Sequence, residues 1–529
     1  MSTAPLTLRA DVLVIGGGMA AAWAALAAAE AGAAVIVVDK GAMGTSGVTA
    51  TGGPGHWFVP PEGRAAALER QVARTQGLAE AAWMERVMDL TWRHLPTIAP
   101  WYPFGSDGQG GRYIQGVRGP EYMRALRRMC VGAGIAVLDH HPALELLADG
   151  DGAVVGARGL ALGSGEDWEI RAGATILATG GCAFRSGLIG SHTQTGDGLL
   201  MAAEAGALLS GMEFSISWSL SPAWASTRTL PFTAARFFRE DGSELAIPSL
   251  KAGHAHYQAL GAALLQGTVL ADLSAAPAGL PAVLRQIQPL TVAAFERRGI
   301  DLFRQRFPVR LFGEGTIRGT GGIALADADC GTGVPGLYAA GDAATRELVA
   351  GAISGGGAVN SAWALASGRI AGAAAAHYGA AKGGRAGPAR ALGKAGLRPR
   401  GSARPVATAP LQQTIEHAIH GLDRALWRRA STLAASLHEL DEAWRAVADH
   451  GLAADPRGRV ELRATAAMAA TARWCTAAAA ERRETRGIAV RTDLPATDPA
   501  QARRLLVGGL DKVWTRPAAP ALRGLEAVL

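Results

Sequence analysis

The chain contains 529 residues, enough for three or four structural units of ordinary size. Its 52 basic and 45 acidic residues leave a net charge of +7 that no basic block carries, so nucleic-acid binding is not the function that the composition favours. Hydrophobic residues make up 49% and charged residues 18%, which excludes a disordered chain. The 70 glycines lie in short clusters at the ends of apolar runs, without a collagen repeat. That distribution is typical of a nucleotide-binding α/β protein.

The four cysteines lie far apart in the sequence and form no C-x-x-C pair. We therefore expect no disulfide framework, no zinc site and no iron–sulfur cluster held by this chain alone. The longest apolar stretch is rich in alanine and is interrupted by Glu30, so we expect no transmembrane segment. With no signal-peptide pattern at the N-terminus, the expected location is the cytoplasm.

The first predicted elements form a β-α-β unit. Residues 10–15 are a short apolar run, as in a strand that is buried on both faces. A glycine turn and an alanine-rich helix follow and end at Gly32, and a second buried strand over 34–38 ends at Asp39. Further strands are predicted at 135–138, 143–147, 153–160 and 174–178, with helices over 65–100 and 196–209.

The pattern changes after residue 215. From there to about 325 the spacing is irregular and rich in Pro, Trp and Phe, which indicates an inserted domain. The pattern of buried strand, glycine loop and helix then resumes. It consists of a buried strand that runs into glycine at 336–342 and a glycine loop that continues as a helix over 354–375. Residues 379–410 are rich in Gly, Ala, Arg and Pro and are interpreted as a linker; helical spacing resumes at 411.

The first glycine turn carries a dinucleotide-binding pattern. Gly16, Gly18 and Ala21 fit G-x-G-x-x-A between a strand and a helix. The first glycine permits the tight turn, the second lets a pyrophosphate approach the backbone, and the small third residue lets helix and strand pack closely. Asp39 ends the next strand, where a carboxylate can accept hydrogen bonds from ribose hydroxyls. Strand, turn, helix, strand and acid together predict a bound dinucleotide.

Three later glycine sites resemble those of a known family, and this resemblance indicates that the dinucleotide is FAD. They are Ala178–Gly181, Thr195–Gly198 and the segment from Gly336 to Asp342, which precedes Asn360 and Ser361. In this order, the set resembles the flavoprotein subunits of succinate dehydrogenase and fumarate reductase and L-aspartate oxidase. Further motifs of the family are matched by Tyr102-Pro103-Phe104 with Asp107-Gly108, Met212-Glu213-Phe214, and Arg483-Glu484-Thr485-Arg486-Gly487 with Asp493-Leu494-Pro495.

The resemblance implies an α/β fold: a Rossmann-type FAD-binding domain with an inserted α+β capping domain and a C-terminal helical domain. The implied bounds are 1–214 and 329–378 for the FAD-binding domain, 215–328 for the capping domain, 379–410 for the linker and 411–529 for the helical domain.

It also implies which residues bind FAD. Gly16, Gly18 and Asp39 would hold the adenosine diphosphate half; Ser46, Thr49, Gly52 and Gly53 would lie along the isoalloxazine; Asp342 would bond the ribityl chain; and Asn360 and Ser361 would lie at the pyrimidine edge. Met19, Ala20, Lys40, Gly47, Ala178, Thr179, Gly180, Asp197, Gly341 and Ala358 complete the expected cofactor set. In respiratory members a His bonds covalently to FAD; Gly47 stands at that position, so the FAD should be non-covalent.

The substrate motifs of the family are altered. Trp218 and Ile317 stand where the dicarboxylate site has two His residues, Gly356 stands where it has an Arg, and Pro231 falls where the proton-transferring R-G-E-G-G would be. All four groups that would clamp or protonate a C4 dicarboxylate are therefore replaced. The expected substrate is a bulkier or partly apolar acid or amine.

Four residues are the catalytic candidates: Trp218, Arg318, Arg236 and His56. Arg318 is favoured because the glycines after it should place its loop against the flavin, and His56 ends a flavin loop and could act as an acid or base. The simpler alternative is that each Arg is a solvated surface residue, Arg228 included. For the aromatic residues Trp218, Trp224, Phe232, Phe237, Phe238 and Ile317, the alternative is the core of the inserted domain.

The expected function is a two-electron, hydride-transferring FAD-dependent oxidoreductase. No second Rossmann motif for NAD(P)H is visible, so electrons would pass to oxygen, to a quinone or to an iron–sulfur partner protein. Three hypotheses stay open: a self-contained oxidase or dehydrogenase like L-aspartate oxidase, the flavin subunit of a complex with an iron–sulfur partner, and a flavin-binding module without catalysis.

Overall fold

A computed structural model describes residues 6–106, 108, 110–225, 230–287, 289–382 and 387–518. Its strands are β1 (Leu6–Ile15), β2 (Val35–Val38), β3 (Gly105–Ser106), β4 (Arg112–Tyr113), β5 (Ala136–Leu138), β6 (Ala143–Ala148), β7 (Val154–Leu160), β8 (Asp167–Leu177), β9 (Leu209–Ser210), β10 (Trp218–Pro222), β11 (Arg236–Phe238), β12 (Glu244–Leu245), β13 (Leu270–Asp272), β14 (Phe307–Gly313), β15 (Gly322–Ile323), β16 (Leu337–Ala339), β17 (Arg390–Ala391), β18 (Leu505–Gly508) and β19 (Trp514–Pro517).

The helices are α1 (Met19–Glu30), α2 (Gly47–Ala50), α3 (Arg64–Arg74), α4 (Ala81–His94), α5 (Gly119–Gly132), α6 (Asp197–Glu204), α7 (His254–Gln266), α8 (Leu280–Ile287), α9 (Pro289–Glu296), α10 (Glu347–Ala350), α11 (Gly356–Lys382), α12 (Thr408–His420), α13 (Leu422–Ala425), α14 (Ala430–Arg445) and α15 (Pro456–Glu481).

The largest sheet has the strand order β17-β6-β7-β8-β1-β2-β5, with β16 also paired to β8. β1 runs parallel to β2 and to β8, and β16 is parallel to β8 as well. The carboxyl ends of these four strands therefore meet at one edge of the sheet, which is where open α/β sheets bind ligands. The glycine motifs of the sequence follow these ends, so the α/β class with a Rossmann-type unit is confirmed.

Two helices cover one face of this sheet and pack unusually close to each other. In α1, ten of the twelve residues are buried, and all ten are Ala, Met, Leu or Trp. Gly368 and Gly372 of α11 lie against it: a Cβ at these positions would be 2.6 Å from the Ala20 carbonyl oxygen and 2.1 Å from that of Ala24. The small side chains of both helices thus determine how closely they approach.

The inserted segment forms a second sheet, in the order β10-β14-β13-β11-β12, with helices α7 to α9; we call this unit, residues 218–313, the cap. Its core is aromatic: Phe295 packs edge-on against Phe307 at 4.9 Å and against Trp224 at 5.4 Å between ring centroids. Phe232, Phe237 and Phe238 are buried as well. These aromatic residues stabilise the cap itself, which is the simpler of the two alternatives that the sequence left open.

The C-terminal segment contains four helices from α12 to α15 together with two strands. β18 pairs with β19 and with β9, so the final segment completes a small sheet of the first half of the chain. Within the predicted linker, β17 adds to the edge of the large sheet next to β6. Both findings go beyond the helix and linker expected there. Among the described residues, no helix is long and apolar enough to cross a membrane.

A buried ionic network attaches this C-terminal segment to the rest of the protein. Arg482 donates to Glu213 at 2.5 Å and to Glu484 at 3.1 Å, and Arg486 donates to Glu484 at 2.6 Å. Nearby, Ser210 donates to Glu347 at 2.5 Å. Burial and the charge of Glu213 raise the pKa of Glu347 to about 8. Glu347 is therefore largely protonated in the folded protein at neutral pH.

Candidate functional site

The glycine turn after β1 leaves the first turn of α1 open. Gly16 has φ +123°, and a Cβ there would lie 2.3 Å from the Ala178 carbonyl oxygen, so only glycine fits. Gly18 is the N-cap of α1, with φ −77°, and nothing lies within 4 Å of the position that its Cβ would take. The backbone N–H groups of α1 thus face open space, as anion binding at a helix N-terminus requires.

Asp39 closes this end of the site at the carboxyl end of β2. Its side chain accepts a hydrogen bond from the Ser46 hydroxyl at 2.7 Å, and a Cβ on Gly17 would be 2.5 Å from its Oδ2 atom. The carboxylate is therefore held beside the glycine turn. Ser46, expected along the isoalloxazine, lies against Asp39 instead, at the nucleotide end of the site.

An ion pair lies on the other side of the glycine turn. Lys40 donates to Asp197 at 3.1 Å and to the Thr195 hydroxyl at 3.0 Å. This pair connects the end of β2 to the start of α6, which brings the Thr195–Gly198 motif to the first glycine turn. Lys40 and Thr195 are 155 residues apart in the sequence, so the fold alone brings them together.

The start of α11 presents polar atoms that have no partner in the described part of the chain. Both side-chain atoms of Asn360, Nδ2 and Oδ1, are buried without a hydrogen bond, and so is Oε1 of Gln194. Buried amides are nearly always hydrogen-bonded. These groups therefore fit the polar edge of a bound cofactor, and Asn360 is one of the residues expected at the pyrimidine edge.

Asp342 forms an ion pair with Arg346, a residue that the sequence analysis did not single out. Arg346 is fully buried and also donates to the carbonyl oxygens of Thr316 at 3.0 Å and Ile317 at 2.9 Å. Burial lowers the pKa of Arg346, while Asp342 opposes that change. Through this guanidinium, the loop of Ile317 and Arg318 is attached to the segment expected to contact the ribityl chain.

These features line one cavity of about 890 Å³. Nineteen of the twenty expected cofactor residues line it: Gly16, Gly18, Met19, Ala20, Asp39, Lys40, Ser46, Gly47, Thr49, Gly52, Gly53, Ala178, Thr179, Gly180, Asp197, Gly341, Asp342, Asn360 and Ser361. Ala358 is not part of the lining; its carbonyl oxygen accepts a hydrogen bond from Trp57 at 3.0 Å. The size, the open glycine turn and the unpartnered amides all fit FAD.

Of the four catalytic candidates, Arg318 alone lines the cavity. It follows a short 3-10 helix, Gly315–Ile317, and its side chain is half-buried. Its Nε atom is buried without a hydrogen bond to any described residue, and its Nη1 is 4.0 Å from the position of a Cβ on Gly357, at the start of α11. Arg318 thus lies beside the expected pyrimidine edge with a donor still available.

The structure places the other three candidates elsewhere. Trp218 begins β10 and packs near His420 of α12, at 6.3 Å between ring centroids. Arg236 is exposed on β11 and ion-paired with Glu244. His56 is buried against Tyr122 at 5.5 Å, and burial lowers its pKa to about 3. A catalytic role for these three is not supported, because none of them reaches the cavity.

Other positions from the sequence analysis have structural explanations or cannot be described. Burial raises the pKa of the Cys182 thiol well above its usual value, which makes it an inert core residue. No group of three or more metal-ligating side chains occurs in the part of the chain that the structure describes. Asp107 and Arg228 lie outside the described residues.

The sequence analysis expected a cap but did not identify the cap residues that line the cavity. Ala225, Thr291, Ala294, Phe295 and Arg297 all line the same cavity as the glycine motifs. No local pattern marks these residues, since their only common property is the face of the cap on which they lie. Gln194 was also missed, although it directly precedes the Thr195–Gly198 motif.

Comparisons with known proteins agree with this site. A family model described as FAD dependent oxidoreductase matches residues 11–187. The chain is 30% identical to an L-aspartate oxidase of Mycobacterium tuberculosis over 540 residues, covering 95% of this chain and 96% of that protein. It is also 30% identical to an L-aspartate oxidase of Caulobacter vibrioides over 416 residues, covering 75% and 71% of the two chains. The structure of the E. coli quinol fumarate reductase protein FrdA superposes with a TM-score of 0.81 at 19% identity, covering 98% of both chains.

Proposed function

Since this chain belongs to the FAD-dependent oxidoreductase family that includes L-aspartate oxidase and fumarate reductase flavoproteins, we propose that it oxidises or reduces a small organic acid or amine other than a C4 dicarboxylate. Bound FAD supplies two-electron chemistry by hydride transfer. One observation carries the proposal: Arg318 lies in the cavity of the flavin motifs while the family's four dicarboxylate groups are replaced.

Arg318 would bind and orient the substrate. A guanidinium can hold a carboxylate through two parallel hydrogen bonds, which fixes the position of the rest of the molecule. Its buried Nε and its approach to Gly357 set that anchor beside the start of α11. The cap residues that line the cavity would exclude water from the reacting atoms.

The side chains at the altered positions argue against a C4 dicarboxylate. Ile317 packs among Ala183, Leu188 and Phe312, an apolar surface where a His would donate hydrogen bonds. Trp218 packs near His420, and Gly356, with φ +73°, has no side chain with which to bind a carboxylate. A substrate with apolar surface would suit this wall better.

The FAD would be bound without a covalent link. Gly47 begins α2 with φ +84° and lines the cavity at the position of the family's covalent His. A glycine offers no nucleophile, so a denaturant should release the flavin completely into the supernatant.

A second candidate function is that of the flavin subunit in an assembly with an iron–sulfur partner. The fold similarity to FrdA of quinol fumarate reductase favours it. The four cysteines of this chain are buried and unpaired, so electrons that leave by an iron–sulfur route would need a cluster on another protein.

Anaerobic titration of the flavin absorbance with a panel of acids and amines tests the proposal. Succinate and L-aspartate belong in the panel, and rapid bleaching by either would contradict the exclusion of C4 dicarboxylates. Bleaching by larger acids alone would support it, and the Arg318→Gln variant should then lose that response while keeping its flavin. If no compound bleaches the flavin but the dithionite-reduced protein is reoxidised by an iron–sulfur protein, the subunit function is the correct one.

A further inference from the structure

The cap contributes a second cationic group to the cavity that Arg318 lines. We propose that Arg297, directly after α9, is a second anion-binding residue of the substrate site. Together with Arg318, it would select an organic acid with two anionic groups held apart by an apolar body. This inference rests on the proposed function, since it specifies the substrate class of the same site.

The charges of the lining support this assignment. Each acidic residue of the lining already has a partner: Asp39 with Ser46, Glu121 with Arg118 at 3.4 Å, Asp197 with Lys40 and Asp342 with Arg346. Of the four cations in the lining, Lys40 and Arg118 are used in these pairs. Arg297 and Arg318 form no ion pair with any residue that the structure describes. Two positive charges are therefore available to a ligand.

One hydrogen bond orients the Arg297 side chain. Its Nε donates to the Ala293 carbonyl oxygen at 3.3 Å, which uses none of the donors on its two terminal nitrogens. Two residues earlier, Phe295 is 1% exposed and packs between Trp224 and Phe307. This packing holds the end of α9, from which the exposed side chain of Arg297 extends.

The surface that accompanies the two guanidiniums is apolar. Ala225, Ala294 and Phe295 contribute it from the cap, and Val48, Ile189 and Ile317 from segments outside the cap. A polar spacer would lose hydrogen bonds to water on this surface, whereas an aryl or branched alkyl spacer would gain from burial. Two cations and several apolar side chains in one cavity lining thus favour a dianionic acid with an apolar middle.

Equilibrium binding tests the inference without turnover. Isothermal titration calorimetry on the FAD-loaded protein would use terephthalate as the dianionic probe, benzoate as the monoanionic probe and succinate as the short, flexible one. We expect terephthalate to bind about tenfold or more tightly than benzoate, because a second charge-assisted contact adds roughly 1.4 kcal/mol or more. Succinate should bind least tightly.

The Arg297→Gln variant should remove that preference. Arg297 is exposed, so the substitution should leave folding intact. The matched control is Arg298→Gln: Arg298 is also exposed on the same turn but stacks over Trp224 at 5.2 Å and is absent from the lining. We expect Arg297→Gln to weaken terephthalate binding to the level of benzoate binding. Arg298→Gln should retain the wild-type ratio of the two affinities.

Two results would overturn the inference: equal binding of terephthalate and benzoate to the wild type, or an unchanged ratio in Arg297→Gln. Failure of the proposed function gives a different result, since then no acid or amine would bleach the flavin even where terephthalate binds through Arg297. Reduction by larger acids with no effect of Arg297→Gln on their binding would contradict the second anion-binding residue alone.

Discussion

The two ends of the cavity are built by different means. At the nucleotide end, the contacts come from backbone geometry: the φ of Gly16, the empty space beside Gly18 and the carboxylate of Asp39, all within 24 residues. At the cap end, side chains of remote segments line one cavity, such as Arg297 and Arg318. The glycine turn and Asp39 are therefore local properties of the chain, whereas the proposed substrate site depends on how the cap lies over the first domain.

The difference also predicts how each end responds to substitution. A change at the nucleotide end acts by steric exclusion or by a lost hydrogen bond to the cofactor. A change at the cap end acts through charge and should leave the flavin in place. The ratio of flavin to protein therefore separates the two classes of variant.

The largest effect is expected for Gly18→Val. The backbone of Gly18 has a φ that any residue adopts, and its Cβ would meet nothing within 4 Å, so the apo-protein should fold. The valine would instead occupy the space that the pyrophosphate needs, and FAD affinity should fall about 100-fold or more, roughly 3 kcal/mol. Flavin-to-protein absorbance after gel filtration measures this loss.

The control for this variant is Gly163→Val. Gly163 also has open space around its Cβ but lies in the turn between β7 and β8, away from the cavity. It should retain its flavin. Full flavin content in Gly18→Val would show that the open turn is not the pyrophosphate site.

Next in size is Arg318→Gln. Removing a charged donor from an anionic ligand costs about 2–3 kcal/mol, so kcat/KM for an acidic donor should fall about 30- to 150-fold. Most of the flavin should be retained, because the contacts at the glycine turn and Asp39 are unchanged. Stopped-flow flavin reduction gives the rate, and equal loss of flavin and activity would contradict the separation of the two ends.

A smaller effect is expected for Asp39→Asn. The amide keeps the shape of the side chain but removes the negative charge that accepts the Ser46 hydrogen bond and would accept those of the ribose hydroxyls. FAD affinity should fall about tenfold, which corresponds to about 1.5 kcal/mol, the lower end for a hydrogen bond to a charged group. Ser46→Ala removes only the hydrogen bond that the Asp39 carboxylate accepts from Ser46, so it should weaken FAD binding less. A titration of the apo-protein with FAD measures both, and an effect of Ser46→Ala larger than that of Asp39→Asn would place the ribose elsewhere.

The smallest effect is expected for Glu347, which lies outside the cavity and acts on the stability of the fold. Because its pKa is about 8 in the folded protein and near 4.5 when unfolded, folding favours its protonated form. Its contribution to stability is complete below pH 4.5 and is lost as the pH rises towards 8. Glu347→Gln cannot ionise, so its thermal midpoint should exceed that of the wild type by a few degrees at pH 9 and match it at pH 4.5. Equal pH profiles would show that Glu347 is ionised in the folded state, and flavin content should not change.

Much of the fold follows from local patterns. The apolar runs at 10–15 and 34–38 are strands because continuous β-branched and aliphatic residues are stable only where both faces of a strand are buried. The glycine turn and the alanine-rich α1 follow for equally local reasons. The predicted helix over 196–209 was too long: α6 ends at Glu204, and Leu209 and Ser210 form β9, because β18 from the far end of the chain pairs with them.

The candidate site likewise has one part that local sequence predicts and one part that depends on tertiary structure. The sequence by itself determined the nucleotide end, because φ angles, missing Cβ atoms and helix N-termini depend on adjacent residues. Tertiary structure alone decided that Arg318 reaches the cavity while Arg236 pairs with Glu244 on the surface, and that Arg297 of the cap lines the same cavity as Arg318. The sequence alone does not distinguish one arginine from another. Their roles differ because each lies at a different distance from other charges and from solvent, and these distances are set only when segments far apart in the chain pack together.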